Sequence, residues 1–346
     1  MVMQTQDYYI AYMDILGYKD YLKQNPESTE KYLHTILDAV EKVKGSVSFF
    51  KSSAVSKFKI DCELKLKIFS DNILLCMQIG EREDEIRRAI LFTLSVAAIQ
   101  RGLVLQHSLI VRGGITIGKL FINNDMVFGQ GLMDAVDLEN KTEYPCISVS
   151  DETQKFLSGL LHDVTDQYKK VKEILQKDKR KELLTTEENK YLTENIGQVV
   201  KEVYYSNTLR ELVRHYDKET AFINYLFDLS FSTLFGYEFE ECIVKIAKKE
   251  PEKYSGLVET RDDYYATMLN HKKVVMYKVK DNCNFNGVDK TDQIAVSQRE
   301  KIIRKYVWLL RYHNSICEEH KFRQGMFAHK YGCDMNFLRL IVNVDD

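Results

Sequence analysis

Apolar side chains recur along this chain with two periods, and the switches between them predict a succession of strands and helices. Residues 8–13, Tyr-Tyr-Ile-Ala-Tyr-Met, form a β-prone run that ends at Asp14 and turns at Gly17. Ser28 and Thr29 offer an N-cap, and Tyr32, Leu33, Ile36, Leu37, Val40 and Val43 follow at helical spacing up to Gly45. Residues 58–77 alternate apolar and polar, with Leu64, Leu66 and Ile68 on one face. The alternation breaks at Ser70-Asp71-Asn72 and then resumes, as in a β-hairpin. Over residues 84–101 the period becomes helical again, carried by Ile86, Ile90, Leu91, Leu94 and Ala98, with Gly102 as the stop. Residues 107–122 return to β character around Gly113, Gly114 and Gly118, residues 129–139 read as a short helix, and residues 146–149 as a last strand. This order predicts an α+β fold with a ferredoxin-like, mostly antiparallel sheet and helices on one face.

Past residue 151 the texture changes. Residues 169–207 are highly charged, yet Ile174, Leu175, Leu183, Leu184, Tyr191 and Leu192 still supply apolar faces, which predicts an exposed helical hairpin rather than disorder. Residues 220–330 are rich in Tyr and Phe and read as mainly helical, with one β stretch at 274–279. The expected division is a core over residues 1–150 and a mainly helical extension over 151–346, with the charged hairpin near 165–207.

Composition narrows the partners. Lys plus Arg (49) nearly balance Asp plus Glu (51), so charge points to neither nucleic acid nor a membrane surface. Seven cysteines form no CxxC pair and are odd in number, as expected of reduced thiols. The first residues lack the basic and apolar regions of a signal peptide, and the apolar runs at 90–99 and 222–235 are interrupted, so a cytoplasmic location is expected. The eight histidines show no metal-ligand spacing, and those in the helical, aromatic C-terminal half, His313, His320 and His329, read as structural.

Two aspartates stand out: Asp14 at the end of the first strand and Asp71 at the hairpin turn. If the first strand lies beside the hairpin, both carboxylates meet at one end of the sheet. Mg2+ or Mn2+ takes hard oxygen ligands, commonly a pair of carboxylates plus substrate phosphates, and two such ions can bracket a displacement at phosphorus. The Asp14-Ile15-Leu16-Gly17 step offers a carboxylate, the Ile15 carbonyl and a turn, while the amides of Leu16, Gly17 and Tyr18 are placed to cradle phosphate oxygens. Each feature has an ordinary alternative. Asp14 can cap a helix, Asp71-Asn72 is a common turn dipeptide, Lys67 sits where a solvated lysine is the default, and Arg112 is as well suited to a structural ion pair.

The segment Ala11-Tyr12-Met13-Asp14-Ile15-Leu16-Gly17-Tyr18 resembles the first metal-binding segment of class III nucleotidyl cyclases. Lys67-Ile68-Phe69-Ser70-Asp71-Asn72 resembles their second, and Arg112-Gly113-Gly114-Ile115-Thr116-Ile117-Gly118 their glycine-bearing strand. Residues 128–139, ending in Leu138-Glu139, fall where that family has its substrate-reading helix. The resemblance spans residues 8–150 and implies two-metal cyclisation of a nucleoside triphosphate, with Asp14, Asp71 and the Ile15 carbonyl holding Mn2+ or Mg2+. It further implies a homodimer with active sites at the interface.

Within the family the chain is similar to the pyrimidine cyclases of Pycsar antiphage systems, which implies CTP or UTP as substrate and a separate cyclic-nucleotide effector protein. Ser70 replaces the usual glycine, and the family's Asn and Arg of the last helix fall at Met133 and Asp137. Lys67 matches the lysine that helps read adenine, but its aspartate partner falls at Gln130. An adenylate or guanylate cyclase, and a non-catalytic nucleotide-binding module of the same fold, are the alternatives. Arg112 and Lys141 are the nearest candidates to bind phosphate oxygens. A nuclease or polymerase is disfavoured because no basic track lies near the acids.

Overall fold

The computed structural model describes residues 4–18, scattered positions between 30 and 45, and residues 62–160, 166–215, 220–227, 261–283, 287–289 and 291–324. Strand β1 (Gln6–Ile15) runs antiparallel to β3 (Asn72–Gln78) on one side and to β4 (Val111–Ile122) on the other. Strand β2 (Leu64–Phe69) forms the expected hairpin with β3. The short β5 (Val127–Phe128) folds back on the end of β4. Strand β6 (Ile147–Val149) joins β4 in the sheet's one parallel pairing among the described residues, and β8 (Ala221–Ile223) and β7 (Val213–His215) continue beyond it, giving the order β2-β3-β1-β4-β6-β8-β7. The fold is therefore α+β with a mostly antiparallel sheet and a helical C-terminal region.

β1 is buried on both faces, which is why its sequence is nearly continuous in apolar residues rather than alternating. Tyr9, Ala11, Met13 and Ile15 face the larger core, with Ile73, Leu75 and Met77 beside them and helix α1 (Arg82–His107) above. Tyr8 and Ile10 face a smaller cluster with Leu74, Cys76, Leu120, Ile122 and Ala135 of helix α2 (Gln130–Lys141). The expected helical face is thus present, and α2 also covers part of the opposite face. Its approach depends on missing side chains, because a Cβ on Gly114 would sit 2.5 Å from the Ala135 carbonyl oxygen and one on Gly118 2.8 Å from the Gly131 Cα.

The larger core also takes helices from later in the chain: α3 (Asp151–Leu160), α5 (Thr186–Leu212), α6 (Arg261–Asn282) and α7 (Gln293–Gln324). Helix α4 (Asp166–Lys179) pairs with α5 as the charged hairpin, sealed by Val171, Leu175 and Val199, and Thr185 with Glu188 forms a capping box at the start of α5. Among the described helices one segment, residues 85–107 of α1, is long and apolar enough to cross a membrane; 72% of that window is buried in the protein, so its apolar surface is spent on core packing.

Several expectations need correction. Residues 274–279 lie inside helix α6, not a strand. Tyr264, Met268, His271, Val275 and Val279 are buried at steps of four, three, four and four, a helical stripe in which β-branched residues are tolerated because packing outweighs propensity. Gly102 does not stop α1, because Leu103 and Val104 continue its buried face and the helix ends only at Ser108, in a left-handed conformation at φ 55°. Strands β7 and β8 were not expected, being only three residues each. The described positions of the expected helix before Gly45 are helical. Cys62, Cys76, Cys146, Cys283 and Cys317 are free thiols, while Cys242, Cys333 and His329 lie outside the described residues, as does the side chain of His320.

Candidate functional site

In an antiparallel sheet, directly opposed residues share a face. Asp14 is opposed by Asn72 on one side and by Arg112 on the other, and Asn72 in turn by Phe69. Phe69, Asn72, Asp14 and Arg112 thus form a row at the end of the sheet, on the α2 face. Behind it runs a second row of Lys67, Leu74, Tyr12 and Gly114. Asp71 occupies the two-residue turn between Phe69 and Asn72, and its carbonyl accepts the Ile15 amide at 3.2 Å. Sheet pairing alone therefore brings Asp14, Ile15 and Asp71 together from positions more than fifty residues apart in sequence.

The turn is tight, with Ser70 at φ +57°, a left-handed conformation that favours glycine. Asp71 is 5% exposed, and Asn72 Nδ2 donates to its Oδ1 at 3.2 Å. Asn72 Oδ1 accepts from the Tyr12 hydroxyl at 2.8 Å. Burial, followed by the neighbouring carboxylates of Asp71 and Glu139, pushes the half-buried Asp14 carboxyl up to about 6, against the opposing pull of Arg112.

Glu139, on the buried stripe of α2 one turn after Ala135, ion-pairs with Arg112, whose Nη1 also donates to the Thr142 carbonyl at 3.3 Å. Nothing in the Leu-Glu dipeptide announced this role. The available signal was the i, i+4 spacing of Gly131, Ala135 and Glu139, the three buried positions of α2.

Three carboxylates thus stand against one guanidinium, an imbalance that a divalent cation would relieve. No group of three His, Cys, Asp or Glu side chains forms a metal site among the described residues. The groups here that could hold a cation are the Asp14 and Asp71 carboxylates and the Ile15 carbonyl, hard oxygen donors of the kind that Mg2+ or Mn2+ takes.

The remaining expected residues are placed less simply. The Leu16 amide donates to the Ile110 carbonyl at 2.8 Å and so is already committed, which narrows the expected phosphate cradle; Gly17 turns at φ +82°. Lys67 reaches the Asn124 carbonyl, and the exposed Gln130 donates to Asp134 at 2.8 Å, so both residues expected to read a base have partners within the chain. Lys141 is exposed at the end of α2, and Arg112 forms the structural ion pair that was its alternative. Phe69, beside the acid turn, is an exposed apolar residue, as are Met126 and Phe128 of the β4–β5 hairpin and Met133 of α2, each about half or more open to solvent.

No family model matches the chain, and no curated protein does. Solved structures with a similar arrangement include the adenylyl cyclase CyaB from P. aeruginosa, at 14% identity and TM-score 0.36, over 47% of this chain and 84% of that one. Others are the adenylate/guanylate cyclase/hydrolase from Silicibacter pomeroyi, at 19% identity and TM-score 0.30 over 45% and 82%, and a bacterial light-regulated adenylyl cyclase, at 15% identity and TM-score 0.30 over 45% and 81%. Likeness at these scores assigns neither activity nor substrate to this chain.

Proposed function

We propose that the chain is a class III-type nucleotidyl cyclase that converts a nucleoside triphosphate, CTP or UTP by preference, to its 3′,5′-cyclic monophosphate and pyrophosphate. The observation that carries this is the meeting of Asp14 and Asp71 at one end of the sheet, with the Ile15 amide bonded to the Asp71 carbonyl. Asp14, Asp71 and the Ile15 carbonyl would hold the Mn2+ or Mg2+. When bound, such ions acidify a ribose hydroxyl and neutralise charge on a leaving pyrophosphate.

The chain's own residues prepare that site. The hairpin turn places Asp71 at the end of the sheet, and β1 delivers Asp14 on the same face as Arg112. Asp14 must lose its proton before it can ligate, and Arg112 favours that loss while Glu139 opposes it. Partial burial lowers the local dielectric, which strengthens the interactions made with a triphosphate.

The pyrimidine preference rests on the departures from the purine-cyclase pattern, Gln130 in place of the aspartate that would partner Lys67, with Met133 and Asp137 in place of the usual Asn and Arg. A homodimer is supported by exposed apolar surface, Phe69 beside the acid turn and Met126, Phe128 and Met133 on the β4–β5 hairpin and α2, which a second copy would cover. Cyclic-nucleotide signalling to a separate effector in antiphage defence is the role this activity would serve.

The test is to incubate the purified protein with ATP, GTP, CTP and UTP in turn, with Mn2+ or Mg2+, and to identify products by mass spectrometry. Cyclic CMP or cyclic UMP that disappears in Asp71→Asn is the expected result. Cyclic AMP or cyclic GMP would keep the cyclase and overturn the pyrimidine preference, and no product from any nucleotide would favour a non-catalytic nucleotide-binding module.

A further inference from the structure

We propose that Tyr12 and Asn72 act as a positioning pair that sets the orientation of the Asp71 carboxylate and thereby tunes the affinity of the acid pair for a divalent cation. The proposal rests on the cyclase reading of this site. Tyr12 lies two residues before Asp14 and so points to the same face of β1. Its direct cross-strand partner is Leu74, while Asn72 is the partner of Asp14. The phenol therefore reaches diagonally across the strand pair, a span accessible to an aromatic side chain.

The chain of bonds has a defined direction. A phenol hydroxyl donating to Asn72 Oδ1 at 2.8 Å fixes which end of the amide faces β1, and the Nδ2 end is then committed to Asp71 Oδ1 at 3.2 Å. A carboxamide is planar with unlike ends, so one bond determines the other. Were the amide to flip, its oxygen would face the Asp71 carboxylate, a repulsive arrangement. The Tyr12 hydroxyl opposes that flip, and the Asn72 N–H restrains rotation of the carboxylate.

Asp71 is buried and stands beside a second acid, so the direction in which its oxygens point decides how well the pair can share a cation. The hydroxyl does not explain itself by packing, since a phenylalanine ring would occupy the same place against Leu74 and Ile10. Partners that orient metal-binding carboxylates are commonly worth ten- to a hundredfold in metal affinity.

The experiment is direct titration of the full chain with Mn2+ by calorimetry, without nucleotide, for wild type, Tyr12→Phe, Asn72→Ala and the double variant. Turnover is then measured as a function of Mn2+, with thermal midpoints recorded for each protein. Tyr12→Phe, which removes a single oxygen, is expected to weaken Mn2+ binding about tenfold. The double variant should bind no more weakly than Asn72→Ala alone, because Tyr12 acts through Asn72. Saturating Mn2+ should restore kcat with the nucleotide KM unchanged, which a general loss of structure would not permit.

Unaltered Mn2+ affinity in a folded Tyr12→Phe overturns the positioning role, as do losses that simply add in the double variant. If Asn72→Ala does not fold, Tyr12→Phe alone decides by its affinity. Asp71→Asn is the control for the underlying reading: if it keeps wild-type Mn2+ affinity, the metal assignment fails whatever Tyr12 does. If Asp71→Asn loses Mn2+ while Tyr12→Phe does not, only the positioning role fails.

Discussion

The acid end of the sheet and the interior beneath helices α6 and α7 both bury polar groups, and they do so in opposite ways. Under the helices, the Tyr225 hydroxyl meets His271 Nε2 at 2.8 Å, His271 Nδ1 meets His313 Nδ1 at 2.9 Å, and His313 Nε2 meets the Cys317 thiol at 3.6 Å. Close by, the Tyr312 hydroxyl donates to Asn224 Oδ1 at 2.6 Å and accepts the Leu226 amide at 3.0 Å, while Arg101 holds the Tyr225 and Phe227 carbonyls. Each of these groups finds a complementary neighbour, and the result ties β8 and the segment after it to α1, α6 and α7. At the acid end, by contrast, the Asp71 and Glu139 carboxylates both oppose ionisation of Asp14, and the one nearby guanidinium, Arg112, is already paired with Glu139. A polar network that satisfies itself serves stability, whereas one left in electrostatic conflict is a candidate functional site, here the proposed cation site.

The sharpest way to break this contrast is to neutralise each region in turn. Asp71→Asn should lower turnover on the order of a thousandfold while the protein stays folded by circular dichroism. Full turnover in that variant would sink the catalytic half of the comparison. Tyr312→Phe should do the reverse, costing about 3 kcal/mol in urea unfolding because both the Leu226 amide and Asn224 lose a buried partner, with Mn2+ affinity unchanged.

The two regions should also respond to pH with opposite signs. Burial, then the adjacent His313 and Arg101, hold His271 well below its ordinary 6.5 in the folded protein, so the unfolded chain takes up the proton first. The stability contributed by neutral His271 is therefore intact above about 6.5 and is lost as the pH falls below it, which pH-dependent thermal melts will read. The Asp14 carboxyl is instead raised, so its conflict is absent at low pH and grows as the pH rises through about 6. Mn2+, which competes with that proton, should bind more tightly over the same rise.

Smaller effects sharpen the picture. Ser70→Gly relieves the left-handed strain of the hairpin turn and should stabilise the protein by about 1 kcal/mol in urea unfolding. Lys177→Ala removes an exposed ion pair with Glu188 on the charged hairpin and should leave the thermal midpoint unchanged.

Much of the amino-terminal architecture could be read from residue order because its signals are local. The alternation through β2 and β3, the helical stripe of α1 and the polar break at Ser70-Asp71 each lie within a short window, and the structure has each element near its expected place. The helix at 274–279 was misread for the same reason: three valines in a short window look like a strand, and only burial of the longer stripe through Tyr264 and Met268 reveals the helical period. β7 and β8 carry too few residues for any periodicity, and they exist because an edge of the sheet was available to pair with.

By itself, the sequence determined the candidate acids, since Asp14 and Asp71 both fall at the ends of strands, and it determined the alternating and helical segments that make those strands and helices. The tertiary structure alone decided that Glu139 would enter the acid site, that Arg112 would be spent on it, and that Tyr12 would reach Asn72 across the strand pair. The reason is physical. Local pattern governs which face a side chain takes, but cross-strand register and the close approach of α2 over Gly114 and Gly118 set which distant charges meet, and the energy of a charge depends on what it meets.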